Sequence, residues 1–182
     1  MRNLLFGGYT WRVLDVQGDK ALLITEDIIE LHPYHSERVA ITWETCALRA
    51  YLNGEFFGKF SAQEQAVICD TSSVNADNQW YRINGGNNTT DKVFLLSIEE
   101  VVRYFGDSGL LKKQPEGSWW IDDNFNINRV AMYSNDVSWW LLRSPGNYPN
   151  NAAFVHKDGR IYIVGIRVDR EGGVRPALWL QL

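Results

Sequence analysis

Cysteine is scarce here. Cys46 and Cys69 are the only two in 182 residues, which excludes a small disulfide-stapled extracellular domain. Both read as buried free thiols. Histidine is nearly as rare, at His32, His35 and His156, and no Cys/His set has the spacing of a structural metal site. Pro33 keeps His32 and His35 from being presented by a helix. Asp122-Asp123 with Asn124, Asn126 and Asn128 lacks the turn glycine and closing glutamate of a calcium loop, and reads as a solvated loop. No metal is expected. Long apolar runs are missing too: none nears the ~20 residues of a membrane-spanning helix. The start, Met1-Arg2-Asn3-Leu4-Leu5-Phe6, lacks the apolar core of a secretory leader. No signal peptide or membrane insertion is therefore expected, and the compartment stays open. Nor is positive charge in excess: 18 Lys and Arg face 22 Asp and Glu, a net charge of −4. That excludes general binding to nucleic acid or to an anionic membrane surface. A phosphate-binding glycine loop, a dinucleotide fingerprint and a serine nucleophile elbow are all absent. The expectation is no cofactor and no catalytic residue.

Aromatic side chains are abundant, at 13% of the chain with eight Trp. So many rings point to an aromatic core, an aromatic binding surface, or both. The charge is unevenly spread. Residues 1–128 carry 11 basic and 18 acidic side chains, whereas 129–182 carry 7 and 4. The length suits one domain over residues 1–182 with a sizeable core.

Along the chain, residues 9–15 and 20–25 read as a hairpin around Gln17-Gly18-Asp19, and 28–31 as a further short strand. Thr42 reads as the cap of a helix over 43–53 that stops at Gly54. Ser61-Ala62-Gln63-Glu64 and Ser97-Ile98-Glu99-Glu100 match the capping box that opens a helix. The second of these predicts a helix over 98–105 ending at Gly106, preceded by a short strand over 93–96. Residues 71–91, with five Asn and Gly85-Gly86, read as a long surface loop, a type that is often functional. Residues 107–124, with Trp119-Trp120, read as irregular. Strands then return: 139–143 stopped by Ser144-Pro145-Gly146, a hairpin of 152–155 and 161–164 around Lys157-Asp158-Gly159, and 174–180 after a Gly172-Gly173 turn. Pro176 marks an edge or a bulge in the last of these. The order predicts an α+β domain in which strands near the two termini pair.

Four segments carry a family resemblance. They are Leu48-Arg49-Ala50-Tyr51-Leu52-Asn53-Gly54-Glu55-Phe56, Phe94-Leu95-Leu96-Ser97, Trp139-Trp140-Leu141-Leu142-Arg143-Ser144-Pro145-Gly146 and Gly173-Val174-Arg175-Pro176-Ala177-Leu178-Trp179-Leu180. Together they resemble a little-characterised bacterial domain family, with the doubled Leu141-Leu142 as a departure that implies an extra residue or a bulge in that strand. The resemblance implies a C-type-lectin-like fold, related to formylglycine-generating-enzyme-like domains: two to three helices, a small mixed or antiparallel sheet and long irregular loops. Some proteins of that fold are variable products of diversity-generating retroelements, in which randomised AAC or AAT codons vary a C-terminal stretch on a constant frame. Asn147, Tyr148, Asn150, Asn151, His156, Arg160, Tyr162, Val164, Ile166, Arg167, Asp169 and Arg170 are all reachable from such codons; Lys157 and Glu171 are not. The calcium motifs of sugar-binding lectins and the cysteine pair of formylglycine-generating enzymes are both missing, so neither activity carries over.

The resemblance implies a non-enzymatic recognition module that binds a protein or glycan through a surface within about 133–171. Its candidate ligand-binding residues are Tyr133, Asn135, Asn147, Tyr148, Asn150, His156, Arg160, Tyr162, Val164, Ile166, Arg167 and Asp169. Tyr, Asn and Arg supply contact area and adaptable hydrogen bonds in other binding surfaces. In 161–169 neither alternating face looks solvent-facing, so the strand is either buried on both sides or exposes an apolar patch. Arg143 and Arg175 read as structural hydrogen-bond donors. Trp139, Trp140 and Trp179 read as core, and Trp80 and Trp119 as the tryptophans facing a ligand. The alternative is an enzyme or enzyme-derived domain with a pocket between the Asn-rich loop and Trp119-Trp120.

Overall fold

The computed structural model describes residues 3–182; Met1 and Arg2, part of the segment read for a leader, lie outside them. The first hairpin forms where alternation predicts it. β2 (Tyr9–Gln17) and β3 (Lys20–Thr25) pair antiparallel, and Gly18 supplies the left-handed φ of 60° that the tight turn needs. A strand not expected from the sequence, β1 (Asn3–Phe6), adds to the free edge of β2. On the other side β3 pairs with β14 (Ala177–Gln181), so the two ends of the chain are neighbours in one four-stranded sheet ordered β1-β2-β3-β14.

The second sheet has six strands: β4 (Glu30–Pro33), β7 (Trp120–Ile121), β10 (Trp140–Pro145), β11 (Asn151–Val155), β12 (Ile161–Arg167) and β13 (Glu171–Val174). Its order is β4-β13-β10-β11-β12-β7, with β13 parallel to β10 and the other pairs antiparallel. The C-terminal segment is thus two strands rather than one. Its break falls at Arg175-Pro176, where proline has no N–H to give a ladder, and Pro176 O instead accepts Thr25 N at 3.0 Å. The chain passes there from the six-stranded to the four-stranded sheet. Gly172-Gly173 is strand, not turn. A Cβ on Gly172 would stand 2.5 Å from the Trp139 ring, and one on Gly173 2.5 Å from Trp139 O, so the glycines admit a close approach of backbone and indole.

The expected α+β, C-type-lectin-like fold with a small sheet is corrected by these elements. Four sheets hold 37% of the residues and helices 21%. The difference lies in the stretches read as irregular. The Asn-rich loop is closed at its base by β5 (Thr71–Ser73) pairing β6 (Thr89–Asp91). Residues 107–138 contain α4 (Leu110–Lys113), β7, α5 (Asn126–Arg129) and the hairpin of β8 (Ala131–Tyr133) and β9 (Asp136–Ser138). Such two- to four-residue elements are too short to show a period in sequence. Residues 93–96 form no strand, only a single bridge from Phe94 to Ala177.

Both capping boxes are present, Ser61 with Glu64 opening α2 (Ala62–Val67) and Ser97 with Glu100 opening α3 (Ile98–Phe105). The helix expected over 43–53 is broken. Cys46, not Thr42, caps α1 (Ala47–Tyr51), its Sγ accepting Arg49 N, and a π-turn over Leu52–Phe56 carries the chain past Gly54. Burial pushes the Cys46 thiol up to about 12, which keeps it protonated.

Arg143, 3% exposed on β10, ties these parts together. It donates to Leu95 O at 2.6 Å, Val74 O at 3.1 Å and Asn75 Oδ1 at 3.2 Å, and forms a bidentate pair with Glu100. The same Glu100 caps α3. Arg175, fully buried, donates to Thr25 O and Glu26 O and lies 5.0 Å over Trp140 and 5.6 Å over Phe105. Burial, reinforced by nearby Arg12, lowers its pKa to about 9. Both arginines hold structure, as their place in apolar motifs implied.

Two outcomes follow from this core. Trp140 has no exposed surface and its indole N–H bonds Arg129 O, so Trp140→Ala should cost about 3–5 kcal/mol in denaturant titration; a loss below about 1 kcal/mol would mean the ring is dispensable. Arg143→Met leaves three backbone or amide acceptors and Glu100 without their donor. It should lower stability by about 3–5 kcal/mol, with amide exchange rising at the α3 N-terminus and in the 71–91 loop.

Candidate functional site

The outer side of the six-stranded sheet carries a row of rings. β11 and β12 pair Phe154 with Tyr162, and β12 and β7 pair Tyr162 with Trp120. Neighbouring strands stand about 4.8 Å apart, close to the thickness of stacked rings, so cross-strand aromatics lie face to face. Phe154 and Tyr162 stack at 4.8 Å, and Tyr162 and Trp120 at 5.1 Å. Trp139 meets Phe154 edge-on at 5.2 Å and Trp119 meets Trp120 edge-on at 6.1 Å. The Arg160 guanidinium lies over the Trp120 ring, 5.3 Å from its centroid. Trp119 is 59% exposed, whereas Trp120, Tyr162 and Trp139 are half-buried.

The turn between β11 and β12 adds charge. His156 Nδ1 lies 2.9 Å from Asp158 Oδ1, and Arg160 Nε donates to Asp158 Oδ2 at 2.8 Å. Burial pushes the Asp158 carboxyl up, but the hydrogen bonds from Arg160 and His156 outweigh it and hold the group well below its ordinary range. The His156 ring is 5.1 Å from Tyr162, so this turn abuts the aromatic row.

The other end of the surface is the loop over 146–150. Asn147 N donates to Val164 O and Val168 N to Asn150 O, while Asn151 Nδ2 bonds Asn147 Oδ1. Tyr148 projects, 61% exposed, beside a cleft of about 330 Å³ whose walls include Ile41, Thr42, Arg82 and Pro149. Arg167 and Asp169 form an exposed ion pair. β12 joins the two ends, and Tyr162 to Arg167 spans roughly 17 Å of strand. Along it Ile161 and Ile163 are buried while Tyr162, Val164 and Ile166 are half-buried. The reading of a strand buried on both faces therefore does not hold. Gly165, at φ 73°, sits where the β11–β12 register shifts, and a Cβ there would meet Ala152 O at 2.6 Å.

Ten of the twelve candidate residues thus sit on β12 or the loops at its ends. Tyr133 and Asn135 do not. They belong to the β8–β9 hairpin, a separate sheet held to the Asp27-Ile28 segment by bonds to Met132. Asn135 is at its tip with φ 70°, and Tyr133 packs on the core. Trp80 is buried, its N–H bonding Leu111 O, so it faces no ligand. Trp139 and Trp179 are only partly buried, because each covers the outer side of a sheet. Asn78 was not singled out from the sequence and is 1% exposed. Its amide donates to Pro145 O and Ile163 O and accepts from Trp80 N and Tyr81 N, clamping the Asn-rich loop to β10 and β12. The run of five Asn was the only signal for it.

The acidic cluster and the histidines are spoken for. Asp123 pairs with buried Arg129, His35 Nδ1 accepts Ala47 N, and His32 stacks on Tyr51. Among the described residues no three His, Cys, Asp or Glu converge as metal ligands.

The depressed Asp158 pKa has a defined sign. A carboxyl that titrates lower when folded than its unfolded value near 3.8 adds stability above that pH, which is lost as pH falls through the acid range. Asp158→Asn should therefore narrow the difference in stability between pH 7 and pH 3. Equal pH dependence in the two proteins would remove this turn from the acid response.

Neither a curated protein nor a solved structure matches the chain. A family model does, from the β2–β3 turn to the last residue, taking in the whole aromatic row, the His156–Arg160 turn and the Asn78 clamp. Residues 18–182 match the family described as Domain of unknown function (DUF6273), and the chain belongs to it.

Proposed function

We propose that this chain is a non-enzymatic recognition module that binds a protein through the outer face of its six-stranded sheet. The observation that carries the reading is the aromatic row from Trp119 to Trp139, in which Trp119 is exposed, Trp120, Tyr162 and Trp139 are half-buried and Phe154 is buried, framed by the His156–Arg160 turn and the 146–150 loop. Large rings left partly in water on a fixed strand frame supply contact area at low entropic cost, which is how aromatic anchors act in protein interfaces.

Ring orientation favours a protein over a glycan on this face. A sugar packs its C–H groups on an open ring face, where the aromatic quadrupole is negative. Here the faces of Phe154, Tyr162 and Trp120 are spent on each other and on Arg160. What is left to a partner is the exposed rings of Trp119 and Tyr148 with the half-buried Trp120, Tyr162 and Trp139, surfaces that suit apolar side chains.

Peptide-display selection on the full chain tests this. Trp119→Ala alters an exposed side chain and should leave stability within about ±0.5 kcal/mol, yet weaken the selected peptides about 30-fold, the ~2 kcal/mol of a hot-spot truncation. Peptides that bind the variant as well as the parent would remove this face as the recognition surface. Diversification of the surface is a separate expectation, resting on the codon-reachable residues. A reverse transcriptase beside the gene, with a near-repeat of its 3′ coding region, is the arrangement that checks it.

A further inference from the structure

The four-stranded sheet carries a cleft that the outer-face reading does not use. β14 places Trp179 opposite Leu22 on β3, with the indole half-buried on the outer side of that sheet. Two backbone ties build walls beside it. On one side Ile68 bridges Leu180 and Cys69 N donates to Trp179 O at 2.8 Å, which runs the 69–72 segment along β14. On the other, Leu182 N and the Gln181 amide both donate to Asp19 O, which pins the β2–β3 turn. Between them lies a cleft of about 470 Å³ with Trp179, Asp19, Lys20, Asp70, Thr71 and Ser72 in its lining, within the roughly 300–1,000 Å³ of small-ligand sites.

The polar groups of this cleft are under-used. The Asp19 carboxylate and the Lys20 ammonium make no ion pair among the described residues, whereas Asp70 is held by Lys92 at 3.1 Å. Trp179 also differs from the rings of the outer face: among the described residues no ring or guanidinium is stacked on it.

We infer that this cleft is a saccharide-binding site. One pyranose ring would pack its C–H face on the Trp179 indole, while its hydroxyls donate to the Asp19 carboxylate and accept from the Lys20 ammonium and the exposed Ser72 hydroxyl. An aromatic floor with mixed carboxylate, ammonium and hydroxyl walls matches a neutral hydroxylated ring, which needs donors and acceptors in alternation. A quaternary ammonium is matched less well, since it is held by a cage of several rings and this cleft has one. The site is independent of the protein-binding face and stands on a different sheet.

The experiment is a glycan microarray with the full chain, followed by saturation-transfer NMR with the oligosaccharide that binds most strongly. The expected result is selective capture by the parent protein. Affinity should fall at least tenfold in the double variant Asp19→Ala/Lys20→Ala, whose exposed side chains carry no core contact, and remain unchanged in Trp119→Ala. Trp179→Phe keeps a ring in the floor and should weaken binding without unfolding the chain. The site is refuted if no saccharide on the array binds, if the double variant binds as the parent does, or if choline or a free amino acid displaces the sugar as the better ligand. Failure here leaves the outer face untouched, because Trp119→Ala reads that face alone.

Discussion

The Arg143–Glu100 pair is the interaction on which the arrangement of this domain depends. It joins the central strand of the larger sheet to the N-terminus of α3, to the 93–96 segment and to the base of the Asn-rich loop. A guanidinium can do this because its five donors lie in one rigid plane, so a single side chain satisfies acceptors from several directions. Burying a charge in this way is costly unless every donor finds an acceptor. The surrounding carbonyls are therefore constrained to point at one spot, and that constraint sets where four otherwise separate segments meet. Tyr34, whose hydroxyl bonds Arg143 O, extends the same node to the chain after β4.

A second constraint acts at the C-terminus. Proline at position 176 interrupts the ladder just where buried Arg175 reaches Thr25 O and Glu26 O, so the last strand leaves one sheet and completes the other. The same segment consequently closes the first hairpin and flanks β10. This leaves each sheet with an outer side on which tryptophans rest: Trp139 over Gly172 on one, and Trp179 beside the 69–72 segment on the other. These two sides differ in chemistry because of strand neighbours. On the larger sheet, aromatics fall on adjacent strands and stack on one another, which occupies their faces. On the smaller sheet no ring or guanidinium stacks on Trp179 among the described residues, and Asp19, Lys20, Thr71 and Ser72 line the cleft beside it.

The loops that frame the larger face are rigid for local reasons. The 156–160 turn is held by Asp158 between His156 and Arg160, and the 146–150 loop by bonds to Val164 and Val168. Asn78 fixes the Asn-rich loop to the backs of β10 and β12.

Local chemistry alone determined several features of this protein. The two capping boxes, the Gly18 hairpin and the β11–β12 hairpin each depend on residues a few positions apart, and each was legible. So were the pairing of the terminal strands, from apolar faces that cannot be buried alone, and the structural roles of Arg143 and Arg175. Tertiary contacts decided the rest. Whether Trp80, Trp139 or Trp179 is core depends on which neighbour covers the ring, and nothing in a Trp-containing segment encodes that. The Gly172-Gly173 pair looked like a turn until the indole lying against it showed why a side chain cannot fit. The larger sheet was missed because β7 and β13 hold only two and four residues, and they are strands solely by virtue of partners distant in the chain. The aromatic row exists for the same reason: Trp120, Phe154 and Tyr162 are scattered in sequence, and the strand spacing, not any motif, stacks them into one surface.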